Sequence, residues 1–75
     1  MTTSAKKYLV IIEPSRTGYG AYVPDLPGCV ASGDTLERVE QNIREGIAFH
    51  LEGLAEDGLP IPPPTSQPLL LEVLA

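Results

Sequence analysis

The spacing of apolar positions predicts three short strands, a long helix and a last strand. Lys6 to Glu13 (KKYLVIIE) is rich in β-branched and aromatic residues and reads as a strand that Pro14 stops. Both parities are apolar, with Leu9 and Ile11 on one side and Tyr8, Val10 and Ile12 on the other. Such a strand calls for cover on both faces. Ser15 to Gly18 has loop composition, with Gly18 able to take a positive φ. Tyr19 to Pro24 (YGAYVP) then returns as the second strand of a hairpin, in which Gly20 marks a bulge or a close backbone approach. Asp25-Leu26-Pro27-Gly28 is a turn signal: Pro27 presets φ and Gly28 accepts the left-handed place of a type II turn. Cys29 to Ser32 suffices for a short third strand, which Gly33 breaks. Met1 to Ala5 is small and polar and reads as a frayed start.

Asp34-Thr35-Leu36-Glu37 begins the helix, with Asp34 as N-cap and Glu37 three residues on in capping-box spacing. The helix is expected over Thr35 to Glu56, with Gly58 as its C-cap. At about 100° per residue, Val39, Ile43, Ile47, Leu51 and Leu54 fall within roughly 60° of Leu36 and form one apolar stripe. Leu59 to Pro64 (LPIPPP) is a stiff extended connector, and Pro68 to Leu74 (PLLLEVL) is the last strand.

The order β-β-β-α-β gives an α+β fold in one domain over residues 1–75. Short loops make the first three strands an antiparallel meander. The helix and connector carry the chain back, so that the fourth strand pairs parallel to the first through a right-handed crossover. One helix covers one face, and the other face stays partly apolar. That is a drive to associate through the open face or a sheet edge, so a homo-oligomer is expected.

Composition points the same way. Seventy-five residues give a chain that buries too little surface to be comfortable alone. The usual staples are missing: one cysteine allows no intrachain disulfide, and one histidine with it cannot build a Cys/His zinc site in one chain. Ten acidic against five basic residues give a net charge of −5, which argues against binding nucleic acid by phosphate neutralisation and suits a basic partner. No apolar run is long enough to span a bilayer, and no basic-then-apolar leader opens the chain. A cytoplasmic protein is expected.

The candidate chemistry is thin. His50 lies at the edge of the helix stripe with no acid or nucleophile beside it in sequence, and reads as a half-buried core-edge histidine. Cys29 follows a turn without CxxC spacing or a base, and reads as a small strand residue under the sheet. Six of the ten carboxylates lie between Thr35 and Asp57, mostly on the outer side of the helix, so a solvated acidic face accounts for them better than a two-metal nuclease using Asp25 or Asp34. Phe49 breaks the pattern. It falls near ~220°, among Arg38, Glu45 and Glu52. Either it is an interface aromatic with a charged rim, or the proline connector folds over it. Gly46 and Gly53, seven apart on one flank, suggest close approach of either the chain's own sheet or a second subunit. No phosphate-binding, zinc-protease or nucleophile-elbow motif occurs. No cofactor and no enzymatic activity are expected.

Three motifs in order carry a resemblance over about residues 7–74: Asp25-Leu26-Pro27-Gly28-Cys29; Gly33-Asp34-Thr35 followed by Asn42-Ile43-Arg44-Glu45-Gly46-Ile47; and Gly58-Leu59-Pro60-Ile61-Pro62-Pro63-Pro64. Together they resemble the HicB-like antitoxins of bacterial type II toxin–antitoxin systems. The resemblance implies a partial RNase H-like fold, a homodimer or homotetramer, and occlusion of a HicA-type toxin, a small basic ribonuclease of double-stranded-RNA-binding-domain fold that cleaves mRNA. Many relatives add a C-terminal DNA-binding segment; this sequence reads as a short form, with no direct nucleic-acid contact expected. Arg44 stands where relatives often carry lysine. The toxin-facing residues suggested by the helix projection are Glu45, Phe49 and Glu52, whereas Asp25, Pro27, Gly28, Asp34 and Thr35 read as fold determinants. The alternative is a stand-alone homo-oligomeric binding or scaffold domain without a toxin.

Overall fold

The computed structural model describes residues 5–75. The frayed start expected over residues 1–5 therefore lies, apart from Ala5, outside the described residues. Strands β1 (Ile11–Ser15), β2 (Gly18–Tyr22) and β3 (Val30–Gly33) precede helix α1 (Leu36–Glu56). The sheet has the order β1-β2-β3, antiparallel throughout. The meander and the covering helix thus form as the sequence patterning predicts.

Two strands differ from expectation. Pro14 does not stop β1 but sits inside it, opposite Tyr19. The reason is position: β1 is an edge strand, where a residue without an N–H need not break a ladder. Residues 6–10 run into β1 without joining the ladder, although Tyr8 and Val10 pack against the core. The expected fourth strand is not present. Residues 68–74 have no strand partner among the described residues, and Leu69, Leu70, Leu71, Val73 and Leu74 are all exposed. Each such side chain left in water forgoes about 1.5–3 kcal/mol of burial.

The glycines resolve differently from their sequence reading. Gly18 does not use a positive φ. It is glycine because β3 ends against it: a Cβ there would meet the Gly33 carbonyl and lie 2.7 Å from Asp34 Cα. Gly20 marks neither bulge nor close approach, since its register is continuous with Glu13 and Ser32 and open space lies above it. Gly33 meets the helix directly; a Cβ there would sit 2.5 Å from Val39 N and 2.9 Å from Val39 Cα. Between β2 and β3, the Cys29 amide donates to the Leu26 carbonyl (3.0 Å) across Pro27-Gly28, with Gly28 at φ +86°. That is the type II geometry only glycine takes without strain.

The N-cap is Thr35 rather than Asp34. Thr35 has extended backbone, and its Oγ1 accepts from the Arg38 amide at 3.0 Å. Shifting the cap by one residue moves Glu37 out of reciprocal position, so no capping box forms. At the other end Asp57 caps and Gly58 follows at φ +68°. The Gly58 amide donates to Ala55 O and the Leu59 amide to Leu54 O, the paired bonds of a Schellman motif.

Helix α1 lies over β3 and β2. The core is Ala21, Val23, Leu26, Cys29, Val39 and Ile43, flanked by half-buried Tyr8, Val10, Tyr19, Ala31, Ile47 and Leu51. Leu36, at the head of the predicted stripe, overhangs the sheet and is exposed. Asn42 ties the helix to β3 by donating from Nδ2 to Ser32 O at 2.8 Å. On the outer face, register aligns Ile11, Tyr22 and Val30 in an uncovered row, with Tyr22 and Val30 exposed.

Candidate partner-binding surface

A long amphipathic helix packed on a three-stranded sheet cannot bury its whole flank. The part of α1 beyond β3 is left facing an open groove of about 410 Å³, between the helix and the Gly28–Val30 stretch. Gly46 and Gly53 form its floor on the helix side, with Phe49, His50 and Leu54 beside them. A Cβ built on Gly46 or Gly53 meets nothing within 4 Å. The chain's own sheet, one of the two neighbours expected for these glycines, therefore does not approach either of them.

Phe49 stands at the groove's edge with 79% of its surface exposed. The proline connector does not cover it. That connector runs to the opposite side of the domain, where Pro62 O accepts a hydrogen bond from the Tyr8 hydroxyl. Glu45 and Glu52 are both exposed on the same helix. Glu45 accepts from the Gln41 side-chain amide at 3.3 Å. Among the described residues the sole ion pair is Arg44–Glu40 at 2.9 Å, one turn apart on the helix. Exposed pairs of this kind contribute only a few tenths of a kcal/mol. The helix therefore offers an exposed aromatic beside two carboxylates, Glu45 and Glu52, that are in no ion pair among the described residues, which is the composition of an interface rim.

The two reactive candidates, Cys29 and His50, both line this groove. Cys29 is buried, and burial pushes its thiol above the ordinary cysteine value, which disfavours the thiolate. His50 is half-buried along the groove. Among the described residues, no three His, Cys, Asp or Glu side chains gather as a metal-ligand set. Asp34 is exposed at the helix entry.

Asp25 does something the sequence reading missed. Its carboxylate accepts four hydrogen bonds from residues forty positions away: from the Thr65 amide (3.0 Å) and hydroxyl (3.1 Å), and from the Ser66 amide (2.9 Å) and hydroxyl (2.8 Å). The Ser66 amide and hydroxyl, followed by those of Thr65, hold the Asp25 carboxyl below its usual value of 3.8. Asp25 thus clamps the chain where it leaves the connector. A Thr-Ser pair after a proline run was the only sequence hint, and nothing local links it to Asp25. Val30 was also missed as a surface residue; it is 68% exposed although it lies within a strand.

A second open groove, of about 460 Å³, separates residues 6–12 from the helix. Tyr8, Val10, Ile12, Ile43 and Ile47 line it, and Lys6, Lys7, Glu40 and Arg44 complete it.

Comparison with known proteins agrees with this geometry. The sequence model of a family described as the HicB_like antitoxin of bacterial toxin-antitoxin system matches residues 8–72. An uncharacterized 14.9 kDa protein of Haemophilus phage HP1, from its rep-hol intergenic region, is 46% identical over 55 residues, 73% of this chain and 41% of that protein. This chain therefore spans about two fifths of the phage protein's length. A UPF0150 protein of Synechocystis is 39% identical over 66 residues, 83% of this chain and 84% of that protein. A chain of the HicA3 and HicB3 toxin-antitoxin complex superposes with a TM-score of 0.72 at 34% identity, covering 81% of this chain and 71% of that chain. Among the described residues no helix is long and apolar enough to cross a membrane.

Proposed function

The chain belongs to the HicB-like antitoxins of bacterial toxin–antitoxin systems, and from that premise we propose that it binds a small basic ribonuclease of the HicA type and covers its RNA-binding surface. The observation that carries this is the exposed Phe49, set beside exposed Glu45 and Glu52 along a groove lined by Gly46 and Gly53. A toxin that grips RNA presents cations, and helix α1 presents net negative charge to them. Opposite charge steers the encounter, and burial of the aromatic holds the complex. The chain works by occlusion in the cytoplasm, with no bond-making step of its own and no direct nucleic-acid contact.

The experiment is titration of the purified chain against the basic toxin encoded beside it, with RNA cleavage as the readout. Cleavage is expected to stop at stoichiometric antitoxin. Phe49→Ala is expected to weaken binding by about thirty-fold, the ~2 kcal/mol of a buried interface aromatic. Its isolated stability should not change, because the ring touches little of its own fold. Glu45→Lys with Glu52→Lys is expected to slow association and flatten its salt dependence. A chain that binds and silences no HicA-type protein of its own genome sinks the proposal.

The exposed segment 68–74 supports a second element of the reading, that the chain works as a homo-oligomer. Self-association without any toxin is the competing reading, and toxin neutralisation separates the two.

A further inference from the structure

We propose that residues 68–74 form an arm exchanged between two copies of this chain, each arm lying along the free β1 edge of the other copy and filling the groove between residues 6–12 and helix α1. The inference rests on the self-association just described, and is independent of the toxin.

The arm has the pattern of a strand without a sheet. Leu69, Leu71 and Val73 share one face, Leu70 and Leu74 the other, and these five side chains are between 74% and 103% exposed. The root of the arm is held. Asp25 fixes Thr65 and Ser66, and Ser66 and Pro68 lie against Lys7, Tyr8 and Leu9. The arm therefore leaves the body beside the β1 side of the sheet, and projects outward from there. The chain's longest dimension is 48 Å, against 28 and 21 Å for the others. Seven residues of strand span about 23 Å, more than the roughly 17 Å of a five-residue β1.

An acceptor of matching chemistry exists on the same surface. β1 has a free edge because, among the described residues, β2 is its only neighbour in the sheet. The groove beside it offers Val10, Ile12, Ile43 and Ile47 to an apolar strand face. Lys6 and Lys7 stand at its rim, and among the described residues neither is in an ion pair. The arm's one charged residue is Glu72. Charge thus favours this groove over the Phe49 groove, whose lining includes Asp57 and no Lys or Arg. A donor root and an acceptor edge on the same side of one molecule are what a two-fold axis needs for reciprocal exchange. The Phe49 groove is left open in such a dimer.

The test measures the mass of the full chain alone by light scattering or sedimentation. The wild type is expected at twice 8.0 kDa or an even multiple. Leu69→Asp with Leu71→Asp is expected to raise the dissociation constant at least about a hundredfold while circular dichroism keeps the helix signal, since the arm adds nothing to its own body. Ile12→Asp is expected to do the same from the acceptor side. If that variant loses helix signal, Lys6→Glu with Lys7→Glu replaces it, and Glu72→Lys is then expected to restore association. Mixing the arm variant with the groove variant should return dimers, because one intact arm then meets one intact groove. A monomeric wild type overturns the arm and the self-association reading together. An oligomer untouched by the arm substitutions overturns the arm alone. Two monomeric variants that stay monomeric when mixed overturn exchange between chains.

Discussion

Replacing Gly46 and Gly53 with alanine separates stability from binding. Both lie inside α1 with ordinary helical backbone, where glycine costs about 0.8–1.0 kcal/mol relative to alanine. A Cβ at either position meets nothing within 4 Å, so no clash offsets that gain. The double variant should be more stable by about 2 kcal/mol. For a domain of this size that is a rise in Tm on the order of 8–15 °C. The same two methyl groups project into the floor of the groove beside Phe49. Toxin binding should therefore fall, by about tenfold or more, while the free protein gains. Urea and thermal unfolding of the isolated chain, with titration against the toxin, read the two effects independently. If the double variant is no more stable than the wild type, the glycines are packed against something, and the open-groove reasoning fails. If it is more stable and binds the toxin unchanged, the groove is not the contact surface.

Gly33→Ala should behave in the opposite way: its Cβ would press on Val39 backbone at 2.5 Å, so strand and helix must separate, with a loss at or above the upper end of the ~1–3 kcal/mol range for overpacking. Chemical denaturation checks this, and a loss under about 0.5 kcal/mol contradicts the geometry. Asp25→Ala should free the root of the arm, seen as faster hydrogen exchange at the Thr65 and Ser66 amides. In the wild type the Asp25 carboxyl is lowered on folding, so its contribution is complete above 3.8 and drains as the pH falls through the lowered value; the protection of those two amides, taken relative to their intrinsic exchange rate, should fall only in that acid range.

Local rules settled much of this molecule. The stripe of Val39, Ile43, Ile47 and Leu51 makes a helix whatever lies beside it, and Pro27-Gly28 makes a type II turn from two adjacent torsion preferences. Phe49 was legible as an out-of-pattern aromatic because it violates the helix's own periodicity, and the structure leaves it exposed. The rest depends on neighbours far away in sequence. Pro14 fits within β1 only because that strand is an edge, and Thr35 rather than Asp34 caps the helix because its backbone is held extended where β3 meets α1. Asp25 looks like a turn residue until the chain brings Thr65 and Ser66 to it. The segment from Pro68 to Leu74 has every local mark of a strand, yet a strand is defined by the backbone next to it. Torsional preference and hydrophobic period act over a few residues, so they are written in the sequence. Which edge lies free, which carboxylate meets which amide, and whether a strand finds a partner are decided only when distant parts of the chain share space.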